Sequence, residues 1–191
     1  MAWNRAARSG KPPAAASALE WAITAMLDST ERLPRVTELD RPRAFAVISE
    51  AVWWVTIVDG TLVRYHPEAY DRELRSRAPA DQALIEETLG GLRFVRNQMG
   101  QDVDHIDFIS PRSPAGGARH GRVRDWTWTH MPEPACSSLS PRGHEWELSR
   151  YRAYLSRLAG QPVGQTFRVA TRFLIDASGA ATPLADAGLL D

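Results

Sequence analysis

The run AFAVISEAVWWVTIVDGTLVRY, residues 44–65, constrains this chain more than any other feature. Wound at about 3.6 residues per turn it is apolar on nearly every side, so other elements have to surround it. Its Val and Ile content would suit a strand, but strands rarely exceed about 10 residues. One long helix accommodates the whole run. Asp40 is placed to cap it, and Pro42 falls in the first turn, where a missing N–H does no harm. Val47, Trp53, Trp54, Ile57 and Leu62 are expected in the core, with the two tryptophans on different faces. The most apolar part, residues 44–58, is interrupted by Glu50 and is shorter than the ~20 residues a bilayer requires. The expectation is the central helix of a soluble bundle, with no membrane role.

A helix of that kind needs partners, and the flanking sequence supplies them. Residues 14–33 carry Leu19, Ile23 and Met26 on one stripe, and Pro34 ends that helix. A short acidic and basic segment from Glu68 to about Arg77 reads as a solvent-exposed helix. Pro79-Ala80-Asp81 opens a long helix with Ile85, Thr88, Leu92, Val95 and Met99 on its buried side. Gly90-Gly91 inside it costs roughly 1 kcal/mol per residue relative to alanine, a penalty accepted where another backbone comes close. The tryptophan-rich helix is the expected neighbour, and Gly100 is the expected C-terminal cap. SPRSPAGGARHGR, residues 110–122, reads as a Pro/Gly/Arg loop, and VRDWTWTH (123–130) alternates with the period of a short strand. Two last helices span Pro141 to Leu158, ended by Gly160, and about Val163 to Ile175.

The fold expected is mainly α, a bundle of about five helices with a small irregular or two-stranded insertion around residues 111–130. Residues 1–13 are expected to be a disordered arm, 14–176 one helical domain, and 177–191 a tail.

Charge narrows the function little. The chain has 23 basic and 23 acidic residues, so no global field draws it to nucleic acid or membrane. Lys11 is the only lysine. That bias, with abundant alanine, points to a GC-rich bacterial coding sequence, in which arginine is weak evidence for phosphate recognition. A single cysteine, Cys136, excludes an internal disulfide and fits a reducing, cytoplasmic setting.

The chemistry concentrates in RFVRNQMGQDVDHIDF, residues 93–108. Arg93 and Asn97 share a helix face with Glu86, and Arg96 borders the buried stripe. One reading makes Arg96 structural: a helix-end arginine paired with Glu50 or Asp59 from the central helix. The other comes from resemblance. A Trp-Trp pair in a long apolar helix, followed by a helix ending GLRFVRNQMG, resembles the helical core of HEPN domains over roughly residues 40–105. The resemblance implies a homodimer in which two such helices face each other and cleave RNA without metal. It makes Arg96 and Asn97 site residues, with a histidine expected near positions 101–103. This chain has Gln101, Asp102 and Val103 there, and His105 follows nine residues after Arg96. Histidine suits the proton transfer because its pKa lies near ~6.5. Glutamine cannot do it. The site is therefore expected to be degenerate, with Arg96, Asn97 and His105 as the candidates if it works.

Elsewhere, Arg119, Arg122 and Arg124 interleave with Trp126 and Trp128, a pattern able to stack and neutralise single-stranded nucleic acid, and Arg93 is a further binding candidate. Asp102, Asp104 and His105 crowd three ligand types into four residues, which disfavours convergence on a metal. No Walker loop, dinucleotide fingerprint or zinc spacing occurs, so no cofactor is expected. Three functions stay open: a non-catalytic HEPN-like module binding RNA or a protein partner in a toxin–antitoxin or phage-defence setting; a helical scaffold without nucleic acid; and an active metal-independent ribonuclease. Seven tryptophans exceed what one small bundle must hide, so a homodimer is expected, with its axis near Gly100.

Overall fold

A computed structural model of the chain describes residues 13–101, 107–112, 125–134 and 140–181. The long apolar run forms α2 (Arg41–Tyr65), begun as its sequence dictates. The Asp40 carboxylate accepts the Arg43 N–H at 3.1 Å, with proline in the first turn. The other helices are α1 (Pro13–Glu31), α3 (Pro67–Arg75), α4 (Pro79–Gln101), α5 (Pro141–Arg157) and α6 (Val163–Ala181). A short 3-10 helix, Leu33–Glu38, joins α1 to α2. The described fold is thus mainly helical with a two-stranded insertion, as expected.

Helix α2 packs against α1, α4 and α6, α4 against α5, and α3 against α6. Ile48, Val52, Val55, Val58 and Leu62 are fully enclosed. By length and composition α2 is the one described helix able to cross a membrane, yet here it is the core element. Trp53 departs from expectation: it is 46% exposed, while Trp54, Val47 and Ile57 are only partly buried against the core. A helix enclosed by three neighbours still leaves one ridge open, and Trp53 lies on it. Helix α3 departs in the opposite sense. Ala69, Tyr70 and Leu74 are buried, and Tyr70 meets Phe173 edge-on at 4.9 Å.

The glycine pair serves close approach, but toward a different helix. A Cβ on Gly91 would stand 2.7 Å from Leu158 Cδ1 and 3.1 Å from the Tyr154 Cα, and one on Gly90 would stand 3.2 Å from the Ala153 Cβ. The tight crossing is therefore α4 with α5. Gly100 is an ordinary helical residue inside α4, whereas Gly160 has φ +74°, the left-handed value that favours glycine after α5.

Strands β1 (Ile109–Arg112) and β2 (Asp125–Trp128) pair antiparallel, Ile109 opposite Trp128 and Arg112 opposite Asp125. The other edge of β2 meets the α5–α6 connection: Trp128 N–H donates to Gln161 O at 3.1 Å, and Gly160 N–H to Trp128 O at 2.8 Å. Rings carry the insertion into the core. Phe45, Phe108, Trp128 and Phe167 follow one another with centroids 4.7, 5.9 and 6.0 Å apart. Helix α6 continues past Asp176, with Ala177 and Ser178 buried, so the helical domain extends to Ala181. The expected N-terminal arm, apart from Pro13, lies outside the described residues; of the expected Pro/Gly/Arg loop, Ser110, Pro111 and Arg112 are instead paired in β1, and the remainder lies outside the described residues.

Candidate functional site

The second half of α4 carries Arg93, Arg96, Asn97 and Gln98 between α2 and α5, and each takes a different partner. Asp59 of α2 is fully buried, and Arg93 meets it side-on: Nε to Oδ2 at 2.5 Å and Nη2 to Oδ1 at 2.8 Å. The Tyr70 hydroxyl adds a third bond to Oδ1 at 3.0 Å. Burial raises the Tyr70 pKa well above its ordinary value, and the Asp59 charge raises it further, so the phenol stays a neutral donor. Burial pulls the Arg93 pKa down, but Asp59 outweighs it and holds the guanidinium above its usual value.

The buried ion pair expected of Arg96 thus belongs to Arg93, whose guanidinium is committed to Asp59, which corrects the binding role expected of it. Glu50, the other acid foreseen for Arg96, pairs with Arg32 at 2.6 Å. Arg96 instead lies over the exposed ring of Trp53, its Cζ 4.8 Å from the centroid. Asn97, one residue on, faces α5. Its Nδ2 donates to Glu147 Oε2 at 3.0 Å, and Gln98 Nε2 reaches Glu147 Oε1 at 3.4 Å. Glu147 is buried, with Arg150 Nη1 3.6 Å from its Oε2. Arg150 also covers Trp146, which is 64% exposed, at 5.2 Å from the ring centroid.

Two open clefts meet at Asn97. One, of about 360 Å³, is bounded by Trp53, Arg96, Met99 and Gly100. The other, of about 390 Å³, is bounded by Ser140, Arg142, Trp146, Glu147 and Arg150. The face around Asn97 therefore presents two exposed indoles, each with a guanidinium on it, and a third arginine, Arg142, at the rim. Among the described residues that line the two clefts the one acid, Glu147, is buried and already accepts hydrogen bonds. These are groups for stacking, neutralising and hydrogen bonding, since arginine stays protonated at any physiological pH.

Other expected site residues lie elsewhere. Trp126 and Trp128 are 3% and 1% exposed. Their Nε1 atoms donate to Val36 O at 2.9 Å and to Thr166 Oγ1 at 2.8 Å. Buried and hydrogen-bonded inside the protein, they offer no stacking platform, which corrects the binding role read for them. Arg119, Arg122, Arg124 and His105 lie outside the described residues. Among the described residues arginine meets tryptophan instead at Arg96–Trp53 and Arg150–Trp146. The signal missed is on α5, where Arg142, Trp146 and Arg150 recur every four residues and so share one face. Comparison of the chain with protein-family models, with curated proteins and with solved structures finds no match.

Proposed function

We propose that the protein is a HEPN-like, non-cleaving module that binds single-stranded RNA across the α4–α5 face. The observation that carries this reading is the pair of exposed, arginine-capped indoles, Trp53 and Trp146, on either side of Asn97. Stacking on such rings is tolerant of base identity and is worth about 1–3 kcal/mol per base. Each indole carries an arginine on its ring and still exposes surface on which a base would stack. Arg96, Arg142 and Arg150 supply local positive charge that the balanced net charge conceals. The setting, a bacterial cytoplasm and a toxin–antitoxin or phage-defence locus, is taken from composition and from the HEPN resemblance of residues 40–105. The non-cleaving character follows from Gln101 standing where that family's histidine is expected.

Fluorescence anisotropy with short labelled RNA of mixed sequence tests the reading. Binding should weaken with salt, and Trp53→Ala and Trp146→Ala should each weaken it by about 5- to 150-fold while the RNA stays intact. No binding at low salt, or binding indifferent to both substitutions, would leave a protein-binding scaffold in its place. Equal binding of single-stranded DNA would widen the ligand class, and cleavage of the probe would restore the ribonuclease reading.

On the same resemblance the protein pairs with itself about an axis near the end of α4, so that two such faces border one cleft. Sedimentation velocity should give a dimer at micromolar concentration, and a monomer there removes the pairing.

A further inference from the structure

We infer that Asn97 reads the bound base, favouring bases with an exocyclic amino group over uracil. The inference rests on the RNA-binding reading above and concerns the same face. An asparagine amide can present its donor or its acceptor outward, and on most surfaces either orientation is open. Here a buried carboxylate decides. Glu147 can only accept, and its Oε2 takes the Asn97 Nδ2 at 3.0 Å. Turning the amide over would set its oxygen against that carboxylate, two acceptors with no hydrogen between them. Glu147 is itself held in place by Gln98 Nε2 at 3.4 Å and by Arg150 Nη1 at 3.6 Å, so it cannot swing away to accommodate the flip.

The consequence is a fixed acceptor. Asn97 is half-buried and borders both clefts, and its Oδ1 makes no hydrogen bond to any described residue. Because Asn97 lines the clefts beside both indoles, a base stacked on Trp53 or Trp146 would lie within reach of that amide. Cytosine offers its N4 amino group and adenine its N6 amino group, donors that match. Uracil has oxo groups in place of the amine; its one ring N–H can still donate, but the two carbonyl oxygens beside it repel an acceptor and weaken that bond. Glu147 thus acts as a positioning residue, and Asn97 as the group that touches the ligand.

Oligocytidine against oligouridine is the discriminating pair, because both are pyrimidines and differ little in stacking area. Anisotropy titrations with the wild-type protein should show oligocytidine bound about three- to tenfold more tightly, the range expected of one hydrogen bond. Asn97→Ala should remove the preference. Glu147→Gln should also erode it although Asn97 is intact, because a glutamine can accept as well as donate and so frees the amide to turn. A merely structural Glu147 would instead weaken both oligomers alike. Equal binding of the two oligomers by the wild type overturns the role of Asn97 and leaves RNA binding standing, as does a preference that survives Asn97→Ala. Failure to bind either oligomer overturns the RNA reading itself. The wild-type comparison needs no variant to fold.

Discussion

Arg93→Ala should lower the melting temperature by roughly 6 to 20 °C, while Arg96→Ala, three residues along the same helix, should change it by no more than a few degrees. The two arginines have similar sequence surroundings and opposite environments. Arg93 neutralises Asp59, which has no exposed surface. Removing the guanidinium leaves a carboxylate in the interior with, among the described residues, the Tyr70 hydroxyl as its remaining side-chain donor, and an uncompensated buried charge costs about 3–5 kcal/mol. Arg96 gives up a cation–π contact with a half-exposed indole, worth about 0.5–1 kcal/mol at such a site. Asp59→Leu combined with Arg93→Met should recover much of the loss, because the pair's own attraction is largely offset by the cost of taking two charges out of water. Thermal melts of the three proteins decide the matter. Similar losses for the two single variants would mean that Arg96 has a buried partner after all.

That contrast marks where the sequence stops being legible. Local signals were readable because their causes are local. Asp40 caps α2 through a bond three residues away, and Gly160 ends the α5 region because its φ of +74° suits glycine. The need for close approach at Gly90-Gly91 was equally plain, since glycine inside a helix is otherwise a cost. What it approaches was not, because that depends on how α4 is turned between α2 and α5. The same rotation decides which arginine reaches Asp59. Arg93 and Arg96 lie about 60° apart around α4, within the uncertainty of any face assigned from periodicity alone.

The tryptophans show the same limit on a strand. Alternation placed Trp126 and Trp128 on one side of β2, correctly, but alternation does not say whether that side is wet. The 3-10 helix meets Trp126 through Val36, and α6 meets Trp128 through Thr166 and Phe167. On α5 the Arg142, Trp146 and Arg150 repeat was visible as a shared face. Its significance depended on α4 bringing Asn97, and with it Trp53 and Arg96, alongside.

The largest effect on packing should come from this exchange of roles between tryptophans. Trp128→Ala should cost about 3–5 kcal/mol, as for other large aromatic side chains cut back in a core, and Trp53→Ala no more than about 1 kcal/mol. Trp128 is enclosed by Phe108 and Phe167, so its removal leaves a cavity that rings anchored on two different elements cannot easily fill. Its Nε1 also donates to the buried Thr166 hydroxyl at 2.8 Å, and that acceptor would lose its donor. Trp128→Phe separates the two contributions: most of the ring volume is kept while the N–H is lost, so its cost should fall between the wild type and the alanine variant. Trp53 is half in water already and chiefly covers the Arg96 guanidinium. Urea unfolding of the three variants measures the order directly. A greater loss for Trp53→Ala than for Trp128→Ala would return Trp53 to the core, and would remove one of the two platforms on which RNA binding was argued.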